Sequence, residues 1–288
     1  MQRLHEVTQG RVIAIDGKVT REAMARAGDQ GPMTLVSAWA TENHVFLGQV
    51  AGPKGSNELG ALPKLLELLD LHGAIVTLDA LGCQKEIVRQ IVDQGGDYVI
   101  SVKGNQEKLQ AAVHAAFNAA VEAVGTNAAP MMPTQHTQEA SHGRQDHRVV
   151  AVLGAPNDFP DREQWPGLKS LVMVTRETED SSGKAHLGTR YFISILSPTV
   201  KRLAKAVRSH WAIENEMHWV LDVAFREDPN RARTEHAQAN LGVLRRTALS
   251  LLKNTPGLTG SIHCRRQQAA WNETTLENVL LGRQTSED

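Results

Sequence analysis

The chain has 288 residues, 41% hydrophobic and 22% charged, with a formal net charge of −1. That is the balance of a soluble globular protein with room for one large domain or two modest ones. Two cysteines, Cys83 and Cys264, with no Cys-x-x-Cys pair argue against a disulfide framework or a cysteine-based zinc site. No segment approaches the roughly 18 apolar residues of a membrane span, and the N-terminus lacks the apolar run of a signal peptide, so a cytoplasmic protein is expected.

Residues 11–16, RVIAID, predict a buried strand that ends at Asp16. TLVSAWAT (34–41) and VFLGQVAG (45–52) predict a hairpin. Residues 57–73 predict a helix that Asn57 can cap and Gly73 can end. AIVTLDA (74–80) predicts a second buried strand ending in an aspartate, Asp79. Residues 83–96 form an amphipathic pattern that stops at Gly-Gly, and 97–105 predict a further strand. The order β-β-β-α-β-α-β implies a mixed sheet flanked by helices. An Ala-rich helix over 106–124 and a loop over 125–141 follow. Strands are predicted at 148–154, 168–178 and 189–197, with a turn at 180–183 between the last two. From Thr199 to about Asn254 the pattern is helical, with a break near 228–230, because the residue before a proline disfavours helix.

The charge is unevenly spread. Residues 201–266 carry 12 Lys/Arg against 6 Asp/Glu, a local +6 on a nearly neutral protein. A polyanion-binding face and a solvated helical surface both account for it.

Two strands ending in aspartate offer carboxylates that would emerge side by side if the strands are neighbours. Such a pair suits Mg²⁺, a hard ion that prefers oxygen ligands. Each Asp could equally cap a following turn, Asp16-Gly17 most clearly. A third carboxylate could come from RSHWAIENEMHWVLD (208–222), where His210, Glu214, His218 and Asp222 are spaced by four and would lie on one stripe of an α-helix. A zinc site on that stripe is disfavoured, because its two histidines are two turns apart, roughly 12 Å of rise. Trp211 and Trp219 on the same segment are expected to pack into the core.

Long stretches of the chain resemble the DDE transposases of the ISAs1 type, relatives of the H-repeat-associated proteins within a wider IS4-like group. They are IAIDGK (13–18), LVSAWATENHVFLGQV (35–50), SNE (56–58), LLELLDLHGAIVTLDALGCQKEI (65–87), GGDYVISVKGNQ (95–106), HGR (142–144), RYFIS (190–194), HWAIENEMHWVLDVAFREDPNRAR (210–233) and NLGVLRRTALSLL (240–252). The resemblance covers nearly the whole chain in order. It implies an α/β, RNase H-like core: a first part over 1–124, a β-rich insertion over 125–198, and a helical part over 199–288 that carries the last catalytic residue. It implies a triad of Asp16, Asp79 and Glu214, the last in the Trp-x-Ile-Glu pattern of 211–214. The Tyr and Arg that precede this glutamate in IS4-like relatives would fall on Val207 and His210, a departure matched by the His-Trp signature of the ISAs1 type.

The implied activity is cleavage of DNA and joining of an insertion sequence's ends to target DNA. The triad would bind two Mg²⁺ ions, with Mn²⁺ as a substitute, and the partners would be double-stranded DNA and a second copy of the chain. Resemblance and position assign DNA contacts to Lys18, Lys103, Asn105, Gln106, His142, Arg144, His210, His218, Arg231, Arg233, Arg245 and Arg246. For the residues after strand ends, an exposed polar loop is an equal reading. The family usually carries an N-terminal helical segment before its first catalytic strand, and the sequence leaves no room for one ahead of Asp16. The rival readings are a nuclease that cuts without joining and a remnant that folds and binds DNA without transposing.

Overall fold

A computed structural model describes residues 11–19, 33–52, 58–124, 132–141, 144–179, 184–230, 232 and 236–282, without the side chains of Ser141 and Arg144. In chain order the strands are β1 (Val12–Val19), β2 (Thr34–Ala40), β3 (Val45–Ala51), β4 (Ile75–Leu78), β5 (Asp97–Val102), β6 (Thr134–Ser141), β7 (Arg144–Gly154), β8 (Ser170–Glu179) and β9 (Ala185–Ser194). The helices are α1 (Leu62–Glu67), α2 (Lys85–Asp93), α3 (Glu107–Glu122), α4 (Val200–Ala212), α5 (Trp219–Phe225), α6 (Ala237–Asn254), α7 (Ile262–Trp271) and α8 (Glu273–Leu281), with a π turn at Ile213–His218 between α4 and α5. The protein is mixed α/β. Its chain divides into two units, one of Met1–Asp70 with Ser209–Asp288 and the other of Leu71–Arg208.

In the first unit β1, β2 and β3 pair antiparallel, with Asp16 opposite Ser37. The run Val12, Ile13, Ala14, Ile15 is apolar without alternation because both faces of β1 are covered. Ala14 joins Trp39, Ile213, Met217, Leu221 and Leu249 in a fully buried cluster. Alternate residues of a strand share a face, so Asp16 and Lys18 point the same way as Ala14, toward the segment 213–225. A second cluster of Leu252, Leu258, Ala269 and Val279 joins α6, α7 and α8.

In the second unit β4 and β5 are parallel, connected through α2, and β5 continues antiparallel into β9, β8, β7 and β6. Gly95, with φ of 77°, closes α2, where an L side chain would be strained.

The expected order of strands and helices up to β5 is present, and several elements differ from expectation, among them β7, which begins at Arg144 rather than 148, and α7 and α8, which lie beyond the expected helical stretch. β1 does not stop at Asp16 but runs to Val19, because its interior charges find partners on the 213–228 segment. The predicted 57–73 helix is a 3-10 turn at Glu58–Gly60 and a short α-helix at Leu62–Glu67, with Pro63 in the first turn, where proline is tolerated, and Asn57 lies outside the described residues. Part of the predicted loop 125–141 is β6, an edge strand polar at every position but Ala140, held by backbone pairing to β7. The predicted strand at 189–197 begins earlier, at Ala185, and the 180–183 turn lies outside the described residues.

A candidate active site on the first strand and the π turn

Asp16 sits in the interior of β1, hydrogen-bonded in the sheet against Ser37, so it caps no turn at Asp16-Gly17. Its Oδ2 lies 3.3 Å from His218 Nδ1. His218 closes a wide helical turn: the Trp219 N–H donates to the carbonyl of Glu214, five residues back. That extra residue breaks the expected stripe. Across the turn a spacing of four no longer steps along one line, so Glu214 is exposed while His218 turns inward and is only 11% exposed. Ile213 and Met217 clamp the turn on Ala14 of β1, and the turn carrying Glu214 thus packs on the strand carrying Asp16. Glu216, on another side of the turn, takes His44 Nδ1 at 2.7 Å and Lys253 Nζ at 2.9 Å, tying the turn to the β2–β3 hairpin and to α6.

Two residues beyond Asp16, Lys18 is 9% exposed and its ammonium is surrounded by acids. It pairs with Asp222, lies 3.2 Å from Glu227 Oε2 and 3.7 Å from Asp228 Oδ1. Glu227 also accepts from Arg246, 2.6 Å from Nη1. Burial alone would raise the Glu227 carboxyl pKa. The adjacent Arg246 and Lys18 cations outweigh it, and the net shift is downward. β1 and the helical segment are therefore joined by two polar rungs, Asp16–His218 and Lys18–Asp222, set two residues apart on the strand and four on the helix. The acids Asp222, Glu227 and Asp228 were not singled out as Lys18 partners from sequence. The available signal was a lysine two residues from an aspartate in an otherwise apolar strand.

Asp79 belongs to the second unit and follows β4. Its Oδ1 accepts from the N–H groups of Leu81 at 2.9 Å and Gly82 at 3.4 Å, so it does cap a turn. Asn105 donates to the Ala80 carbonyl at 2.6 Å and Gln106 to the Cys83 carbonyl at 2.9 Å, which fixes that turn from the segment after β5. Burial, with the Asp79 charge nearby, pushes the Cys83 thiol up to about 12, so this cysteine is a packed neutral side chain.

Among the described residues, no three His, Cys, Asp or Glu side chains stand together as a metal-binding group. The oxygen donors Asp16 and Glu214 are of the kind Mg²⁺ takes.

A family model for the transposase DDE domain matches residues 8–251. The chain belongs to the DDE transposase family. Among its relatives, a protein of Escherichia coli O157:H7 called "Putative transposase YncI" is 39% identical over 283 residues, 97% of this chain and 71% of that one. An Escherichia coli K12 protein called "H repeat-associated putative transposase YhhI" is 33% identical over 286 residues, 98% of this chain and 74% of that one. The K12 "Putative protein YbfL" is 34% identical over 98% of this chain and 74% of its own length. Streptomyces venezuelae DesVI, a solved structure, aligns at a TM-score of 0.19 and 11% identity over 47% of this chain and 49% of its own, too low to bear on the fold. No helix among the described residues is long and apolar enough to cross a membrane.

The residues that the DDE transposase resemblance assigned to DNA fall into distinct places. Lys103 is exposed beyond β5, and Arg245 is half-buried on α6. His210 is buried on α4. Lys18 lies inside β1 rather than after it, its ammonium already taken up by carboxylates. Arg246 is 0% exposed, bonded to Glu227, to Ser37 Oγ at 3.0 Å and to the Gly242 carbonyl at 3.2 Å, so its guanidinium supports the fold and presents no face to a phosphate. His142, Arg231 and Arg233 lie outside the described residues, as does the side chain of Arg144. Trp219 is 62% exposed rather than buried, and Trp211 is half-buried. Their positions flank the π turn, which rotates Trp219 away from the buried cluster.

Proposed function

We propose that this chain is a DNA-strand transferase of the DDE type. Asp16, Asp79 and Glu214 carry the phosphodiester chemistry on an RNase H-like core spanning 1–124 and 199–288, and 125–198 forms a β-rich insertion. The observation that carries the reading is the packing of the Glu214 turn on the strand that holds Asp16, in a chain whose family is that of transposases. The order β1-β2-β3-α1-β4-α2-β5, antiparallel then parallel, supports the RNase H-like assignment.

The chain's own residues have definable parts. His218 faces the Asp16 carboxylate at 3.3 Å and limits its rotation. The Lys18–Asp222 rung holds the strand in register with the helix, and Glu214 stands exposed where a phosphodiester can approach. Asp79 is held by its own turn, with Asn105 and Gln106 behind it. A pair of Mg²⁺ ions, when bound by the three carboxylates, would supply Lewis-acid activation of the attacking hydroxyl and neutralise the leaving oxygen. The metal reading rests on the family and on the donor chemistry. In the reaction, water displaces a 3′ oxygen from phosphorus at the element's end, and the freed hydroxyl then attacks a phosphodiester of target DNA, breaking its P–O3′ bond so that the target's 3′ oxygen leaves as a hydroxyl. The partners are double-stranded DNA and a second copy of the chain that holds the other end.

The test is a nicking and joining reaction on duplexes carrying the element's ends, with Mg²⁺ or Mn²⁺, for the natural chain and for Asp16→Asn, Asp79→Asn and Glu214→Gln. Each variant should bind DNA and melt normally yet give no nicked or joined product. Metal-dependent cleavage by the Glu214→Gln chain would remove that residue from the triad. Cleavage without joining would favour the nuclease, and binding without cleavage the remnant.

A further inference from the structure

The second unit carries a charged face that the proposed chemistry does not use. β6, β7, β8 and β9 form an antiparallel lobe in which Arg148 stands directly opposite Arg176, and Arg176 directly opposite Gly188. Directly opposed residues share a face of a sheet, as do alternate residues of one strand. Asp146, two residues before Arg148, is on that face, and so is Glu139, its partner on β6. Arg208 of α4 reaches the same face through Glu139, 2.7 Å away.

The face holds the guanidinium groups of Arg148, Arg176 and Arg208 beside the carboxylates of Asp146 and Glu139, with Arg190 of β9 further along it. Asp146 takes Arg176 in a two-pronged pair, 3.0 Å to Nε and 2.7 Å to Nη2, and this hydrogen bonding holds its carboxyl at about 2. Glu139 takes Arg208. That leaves Arg148, half-buried between the two pairs, with no ion-pair partner among the described residues. Burial first, and then the Arg208 cation, lower its pKa, against the opposing pull of the Glu139 and Asp146 carboxylates. Like charges directly opposite each other on neighbouring strands oppose pairing, and a partly buried charge whose nearby carboxylates are engaged by other cations is only partly compensated. An arrangement of this kind is relieved by an anion from outside. The planar guanidinium fork matches the oxygens of a phosphate. Gly188, beside Arg176, leaves the sheet bare there: a Cβ at that position would meet nothing within 4 Å, so an extended backbone can lie close.

We propose that Arg148, flanked by Arg176 and Arg208, seats a backbone phosphate of duplex DNA on the β-rich lobe. The choice of DNA over other polyanions rests on the function proposed above. Arg176 and Arg208 are already fixed by carboxylates, and Arg148 is the group the phosphate neutralises.

The experiment measures binding of the full chain to a fluorescent duplex of arbitrary sequence, about three helical turns long, as a function of salt and without divalent metal. The variants are Arg148→Gln, Arg148→Glu and Arg208→Glu. Loss of one phosphate contact should lower the slope of log affinity against log salt by about 0.9 for Arg148→Gln. Arg148→Glu should weaken binding further at every salt, with an unchanged melting curve for each variant. Because Arg148 is half-buried, Arg208→Glu, on an exposed residue, is the second measurement should Arg148→Glu fail to fold. A folded Arg148→Gln chain with the natural affinity and slope would overturn the proposal, as would an Arg148-dependent affinity confined to single-stranded RNA. A natural chain that binds no DNA would overturn the proposed function together with this seat. A natural chain that binds DNA but ignores Arg148 and Arg208 overturns only the seat.

Discussion

Arg246 gives the sharpest test of how the first unit is held together. It is fully buried and donates to Glu227 at 2.6 Å and 3.4 Å, to Ser37 at 3.0 Å and to the Gly242 carbonyl at 3.2 Å. Replacing it by Met preserves much of the apolar stem and removes the charge. Glu227 then keeps Lys18 as its cation, 3.2 Å away, a lysine it shares with Asp222 and Asp228. Removing one partner of a buried pair typically costs about 3–5 kcal/mol, and Glu227 is here left with a cation it must share. For a unit of this size that is a fall in melting temperature of roughly 6–20 °C. The double variant Glu227→Gln with Arg246→Met removes both charges and should cost much less than the two single changes added together, with a coupling of at least about 2 kcal/mol. The assay is urea unfolding of the four chains of the cycle, with DNA binding measured in parallel. The salt slope of binding should be the same for Arg246→Met as for the natural chain, since a buried guanidinium releases no counter-ions. An Arg246→Met chain less than about 1 kcal/mol below the natural one, or strictly additive costs, would refute the reasoning.

The π turn predicts an unusual deletion phenotype. Removing Asn215 should let the segment close as an α-helix, rotating His218 and Asp222 by about 100° and breaking both rungs to β1, with loss of cleavage and a lower melting temperature. Glu214→Gln, at an exposed position, should by contrast stay within about 0.5 kcal/mol of the natural stability while abolishing cleavage. Gly95→Ala should destabilise by about 1–2 kcal/mol in thermal melts, since its φ is 77° and a Cβ would meet His72 Nδ1 at 2.7 Å. Asp146 has a folded pKa depressed to about 2, so the stability it contributes is present above the ordinary carboxylate range and fades as pH falls toward 2. Titration of its carboxyl carbon by NMR should show that midpoint in the natural chain, and an upward shift after Arg176→Gln that stops short of the ordinary carboxylate value because Thr178 and Arg148 still act on it.

What the sequence could reveal followed the range of the forces involved. β1, β4 and β5 were legible because apolar runs covered on both faces leave a strong local pattern. β6 was not, since its polar residues are held by backbone bonds to β7 and leave no side-chain signal. The π turn was invisible for a related reason: a hydrogen bond that slips from four residues to five does not alter the spacing of residue types. Arg246 read as a surface cation because the residues that bury it, Ser37 and Glu227, are 209 and 19 positions away. Asp16 stood out as a strand-end carboxylate, and the motif resemblance supplied the candidate role proposed for it and for Glu214. Periodicity alone had grouped Glu214 with His210 and His218.

The rungs on β1 also bear on the order in which the molecule can be made. Lys18 meets Asp222 across 204 residues of sequence, and the whole second unit, Leu71–Arg208, is synthesised between them. A nascent chain therefore exposes a strand with a stranded aspartate and lysine until the last third of the protein has emerged, while the second unit is one continuous stretch that can close first. Contacts of such long range make closure of the first unit the slow, late event of folding. A message broken before Asp222 would yield a product whose N-terminal strand has no counter-charges to receive it, a natural substrate for proteolysis.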